Sequence, residues 1–90
     1  MKYHTWNNEK NEILKNERGV SFEDVIYYLE HGNLLAIIKN PNNDKYHDQK
    51  IYIVKIEDYA YLVPFVETDD EIFMKTIIPS RKATKKYLEV

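Results

Sequence analysis

The 90-residue chain contains no cysteine. That excludes a disulfide framework, thiol catalysis and a thiolate metal site. Two glycines and three prolines are too few for a flexible linker or a low-complexity tract. No apolar run of signal-peptide type opens the chain, and no segment approaches the roughly 20 apolar residues of a membrane span. A cytoplasmic protein with no membrane contact is therefore expected. Bulk charge is scarce too, because 13 Lys and Arg against 15 Asp and Glu leave a formal net charge of -2. Overall charge does not make this chain a polyanion binder, so any such role must come from a patch.

Ninety residues make one domain, spanning 1–90, with a modest core. Eight tyrosines are available to it. A Tyr ring packs while its hydroxyl stays wet, which suits both small cores and interfaces. Charge is segregated along the chain. Glu57, Asp58, Glu67, Asp69, Asp70 and Glu71 fall in 57–71 without a cation, and Lys75, Arg81, Lys82, Lys85 and Lys86 fall in 75–86 without an acid. The basic stretch suggests a local anion surface, and the obvious anion is a nucleic-acid backbone. The ordinary alternative is a solvated helix face with favourable helix-end charges.

The pattern predicts an α+β domain. Met1 to Trp6 is either a short strand or a segment that packs Trp6 on the core. Asn7 or Asn8 caps a helix running to about Asn16, with Ile13 and Leu14 as its apolar face. Ser21-Phe22-Glu23-Asp24 reads as a capping box, and Phe22, Val25, Ile26 and Leu29 form one helical stripe. Gly32 can take the left-handed position that ends this helix. Leu34 to Ile38 is a turn or a short strand. A polar loop, Asn40 to Gln49, precedes a three-stranded antiparallel meander of Lys50–Ile56, Tyr59–Val66 and Glu71–Ile78. Glu57-Asp58 is a tight turn, and Pro64 argues for an edge position or a bulge. A short helix from Ser80 or Arg81 to the C-terminus follows. Two N-terminal helices thus pack on a small antiparallel sheet, with a short C-terminal helix.

Three blocks then stand out: Trp6 to Lys10, Arg18-Gly19-Val20-Ser21-Phe22-Glu23, and Ile77-Ile78-Pro79-Ser80-Arg81-Lys82-Ala83. In this order they resemble the BrnT family of type II toxins, which is similar to the RelE-like ribonuclease toxins. The resemblance implies a RelE-like fold and a metal-independent endoribonuclease, with no cofactor and RNA as substrate. It also implies a small BrnA-like antitoxin as cognate partner, with DNA reached only through that antitoxin. Arg81 matches the family's Arg, and Lys50 stands where an Arg usually opens the first long strand. Asn7 replaces the family's Asp, Arg18 its His and Tyr87 its Glu. The cationic character stays, while the proton-transfer His and Glu are gone.

In that chemistry the 2′-hydroxyl attacks the adjacent phosphorus, and cations stabilise charge developing on the phosphoryl oxygens. Arg81 is the leading catalytic candidate, because a guanidinium matches phosphate geometry and stays charged. At a strand-to-helix step, helix amides would add to its anion site. Lys50 would clamp phosphate, and Arg18 would stabilise it where the family offers His. Lys10, Lys82, Lys85, Lys86 and Tyr87 are the RNA-binding candidates, the lysines tracking the backbone and Tyr87 stacking on a base. His4, His31 and His47 lack metal-ligand spacing, so no metal is expected. His47 is the candidate for the missing base. The rival reading is a non-catalytic binding or assembly protein, with Tyr27, Tyr28, Tyr59 and Tyr61 at an interface.

Overall fold

The computed structural model describes residues 2–39 and 49–89. Among them, three helices pack on a six-stranded sheet. A mixed α and β architecture is therefore the fold class, with two departures from a simple helix-then-sheet order. The chain opens with a strand, β1 (Tyr3–Thr5), that pairs parallel to a much later one. The C-terminal helix lies on the opposite sheet face from the first two, because the two faces hold separate apolar clusters.

Helix α1 (Asn8–Arg18) starts where the Asn7 side chain accepts the Lys10 N–H at 3.0 Å, and ends at Gly19 with φ 67°. That left-handed angle carries no steric penalty for glycine, so the helix runs two residues past Asn16. Its buried face is Asn11 and Leu14; Ile13, expected inside, is 48 % exposed. One apolar side chain suffices because Asn11 does the rest. Its Oδ1 accepts the Phe22 N–H and its Nδ2 donates to Glu23 Oε1, both at 2.7 Å. Those bonds hold α1 against the first turn of α2 (Phe22–Glu30), and they hold the Glu23 carboxyl below its ordinary value. The Ser21–Asp24 capping box is present in full.

The stretch after Gly32 is a strand, β2 (Leu34–Lys39), antiparallel to β3 (Gln49–Ile56). Strand β4 (Tyr59–Glu67) follows through Glu57 and Asp58, both at positive φ. Such a two-residue turn matches the right-handed twist of the strands it joins. The expected third meander strand is split into β5 (Glu71–Met74) and β6 (Ile78–Pro79), both paired with β4. Pro64 explains the split. It lies inside the sheet rather than at an edge, and its carbonyl accepts the Lys75 N–H at 2.8 Å between the two pieces. A residue's N and O point to the same side of a strand, so the donor that proline lacks faces the interruption. The final sheet order is β1-β5-β4-β3-β2.

Strand β3 is buried on both faces. Tyr52, Val54 and Ile56 join Leu14, Phe22, Val25, Val63, Phe65, Met74 and Ile77 beneath α1 and α2. Trp6 supports this core by stacking on Phe22, with ring centroids 5.8 Å apart. On the other face Ile53, Ala60 and Ala83 form a smaller cluster under α3 (Arg81–Tyr87). A Phe22→Ala change would cost about 3–5 kcal/mol, since that ring is wholly buried.

Candidate functional site

Helix α3 is fixed to the sheet by its own polar side chains. Ser80 Oγ accepts the Ala83 N–H at 3.1 Å, and the Ser80 N–H donates to the Ala60 carbonyl at 3.0 Å. Thr84 is buried, and its Oγ1 accepts the Ala60 N–H at 2.9 Å. With Ala83 and Thr84 turned inward, helical geometry sends Arg81, Lys82, Lys85 and Lys86 outward, and all four are exposed. None of the four has a carboxylate partner among the described residues. Lys86 Nζ instead lies 5.4 Å from the centre of the Tyr87 ring.

Beside α3 runs a groove of about 270 Å³, lined by Ile38, Ile53, Leu62, Ser80, Lys82, Ala83, Lys86 and Tyr87. Its floor is aliphatic and its rim is cationic. Such a groove accepts a flat or apolar body whose attached anion meets the lysines. Lys55 lies directly opposite Ala60 on this same sheet face, although its Nζ is 3.8 Å from Asp58 Oδ1. Strand parity was the available signal for Lys55, which shares a side with Ile51 and Ile53.

The other sequence candidates lie elsewhere. The Arg18 guanidinium donates to the backbone carbonyl of Ile77 and lines a small cleft of about 130 Å³ with Asp24, Tyr28, Glu57 and Tyr61. Lys50 is six residues from Ile56 along β3, or about 20 Å at strand rise, so it sits far from that cleft. Its Nζ is 3.8 Å from Glu67 Oε1, and Lys2 donates to the same carboxylate. The Lys2 bond holds the Glu67 carboxyl below its ordinary value. The structure therefore does not bring Arg18, Lys50 and Arg81 together. Arg18 and Lys50 are at opposite ends of the α1/α2 side, and Arg81 is on the far side. Lys10 is half-buried on α1, also on the α1/α2 side. Helix α3 has seven residues and a Ser80 cap on its amides, so the anion surface there is made by side chains.

A polar pair that the sequence did not announce lies near Lys50. His4 Nε2 is 3.1 Å from the Tyr52 hydroxyl, and Tyr52 stacks on Phe65 at 4.2 Å between centroids. Burial pushes the His4 imidazole below its ordinary value, against a weaker upward pull from Glu30. Burial also pushes the Tyr52 phenol up. The two meet only because β1 joins the sheet, which no spacing in the sequence indicates. His47 lies outside the described residues. Among the described residues no group of His, Asp and Glu is arranged to hold a metal ion, and no helix is long and apolar enough to cross a membrane.

No family model, curated protein or solved structure matches this chain.

Proposed function

We propose that this protein binds RNA along α3 and its groove, and that it is a metal-independent endoribonuclease toxin of a toxin–antitoxin pair. One observation carries the reading: α3 presents four exposed cations without carboxylate partners among the described residues, and two of them, Lys82 and Lys86, line an apolar groove edged by Tyr87. In a chain of net charge -2 this is a local anion surface rather than a consequence of bulk charge. Lysines meet the RNA backbone, and Tyr87 offers a stacking platform for an unpaired base. Arg81 supplies the guanidinium for the phosphoryl oxygens as the 2′-hydroxyl attacks. The helix pair α1 and α2 against the sheet, with the short C-terminal α3, is the part of the expected layout on which this reading draws. A small antitoxin of the BrnA kind would be the cognate partner, and the exposed Tyr27 on α2 gives it an aromatic contact.

The test separates binding from cleavage. Wild type and Arg81→Ala are compared for RNA integrity on expression and for affinity to a labelled single-stranded RNA at several salt concentrations. The expected result is RNA loss and growth arrest with wild type, and neither with Arg81→Ala. Removing Lys82, Lys85 and Lys86 together should flatten the log–log salt slope by about 2, near 0.7 per lost contact on a single strand. Cleavage by Arg81→Ala at the wild-type rate would remove the catalytic assignment. An affinity indifferent to the three lysines would remove the RNA surface.

A further inference from the structure

Strand β2 is an edge strand at the end of the sheet, and its sequence is Leu-Leu-Ala-Ile-Ile-Lys. Its only partner among the described residues is β3, so among them one row of backbone donors and acceptors has no strand partner. Leu34, Ile37 and Ile38 are 38 %, 52 % and 37 % exposed. Folded proteins usually blunt such an edge with a proline, a central charge or a covering element. From Leu34 to Ile38 there is no charge and no proline. A β-bulge is present at Leu35, near the start of the strand, and Ala36 to Lys39 pair regularly beyond it.

We infer that this edge pairs with the same edge of a second copy, antiparallel about a two-fold axis at Ile37. Three features of the chain select a copy over another partner. The run is aliphatic in both directions, so it is complementary to its own reverse. Ile37 then meets the partner's Ile37, and Ala36 meets the partner's Ile38, small against large. Directly opposite residues must share a sheet face, and they do: Ala36 and Ile38 pair with Ile53 and Ile51 on the α3 side.

The third feature is charge. Lys39 stands directly opposite Lys50, a like-charge pair on the α1/α2 face. With Leu35 taken up by the bulge, antiparallel pairing carries Lys39 past the partner's Leu34, on the face where the partner's α2 ends. That helix end has Glu30 and no basic residue in its last turn. Its carbonyl end and carboxylate offer Lys39 a counter-charge that it does not find among the described residues of its own chain. A parallel pairing would instead bring the two Lys39 side chains together. The two-fold is perpendicular to the sheet, so both α3 grooves would open on one side, joined by a continuous floor through Ile38 of each copy. The self-pairing stands without the RNA reading.

Strand pairing alone buries less than the roughly 800 Å² per partner of a standard interface, so a dimer formed at micromolar concentrations is expected. Sedimentation of the purified full chain across the micromolar range should give a limiting mass of twice 10.8 kDa. Ile37→Lys should hold it at one chain mass with an unchanged circular dichroism spectrum. Ile13→Lys, at a comparably exposed position on α1, should leave the dimer intact. The chain has no cysteine, which provides a second readout. Opposed antiparallel residues have Cα atoms about 4.5–5.5 Å apart, within disulfide range, so Ile37→Cys should crosslink on oxidation and Ile13→Cys should not. A wild type that stays at 10.8 kDa, a mass that grows without limit, a dimeric Ile37→Lys variant or an uncrosslinked Ile37→Cys variant would each overturn the pairing.

Discussion

Thr84 in α3 and Ala60 in β4 are joined by a hydrogen bond that ties the helix to the sheet. The Thr84 hydroxyl accepts the Ala60 N–H at 2.9 Å and donates to the Ser80 carbonyl at 2.8 Å. The Ala60 amide is buried, so losing its acceptor leaves it unsatisfied. Thr84→Val keeps the shape and removes the hydroxyl. It should lower the unfolding free energy by about 1–3 kcal/mol, measured in denaturant. Thr84→Ser, which restores the acceptor, should recover most of that loss. Equal stability of the Val and Ser variants would show that the bond does not anchor α3.

Arg18 is a structural cation on present geometry, because its guanidinium binds the Ile77 carbonyl. Charged hydrogen bonds of this kind contribute about 1.5–3 kcal/mol. Arg18→Ala should therefore lower the melting temperature by several degrees, while RNA affinity per folded molecule stays near wild type. A variant with unchanged melting and lost RNA cleavage would instead place Arg18 in the chemistry.

The depressed pKa of His4 makes stability depend on pH in a definite direction. The folded state binds the His4 proton more weakly than the unfolded chain, whose value is near 6.5. In the window between the two values the unfolded state holds more protons, so stability rises with pH. The His4 contribution should be complete above about 6.5 and should fall as pH drops below it. His4→Gln should flatten that slope in denaturant melts at pH 5 to 7.5. The carboxylates Glu23 and Glu67, also depressed, act in a separate window below their ordinary 4.5. Their stabilisation is present above that value and is lost as pH falls through the folded one. An unchanged slope in His4→Gln would assign the dependence to another group.

Local chemistry made much of the fold readable. The Asn7 and Ser21 caps, the Gly32 stop, the Glu57-Asp58 turn and the alternation of β3 all follow from short-range rules, and each is present. Pro64 marked a disturbance, but only the β4 pairing showed that the neighbouring strand breaks rather than the sheet ending. Ile13 is exposed and Asn11 is buried because α1 is tied to α2 through hydrogen bonds, which hydrophobic spacing does not report.

The candidate site divides along the same line. The sequence by itself determined which residue types could meet an anion, and it concentrated them after Lys75. It also determined an aliphatic β2 without a central charge. Only the tertiary structure decided that Arg18 and Lys50 lie apart from one another, that His4 reaches Tyr52, and that β2 is an edge. Caps, turns and strand alternation depend on neighbours a few residues apart, whose interactions are written in order along the chain. Which face a helix covers, and which strand is left outermost, depends on contacts between distant segments. Those contacts are set by the packing of Phe22, Val54, Phe65 and Ile77 into one core, and no local pattern encodes that choice.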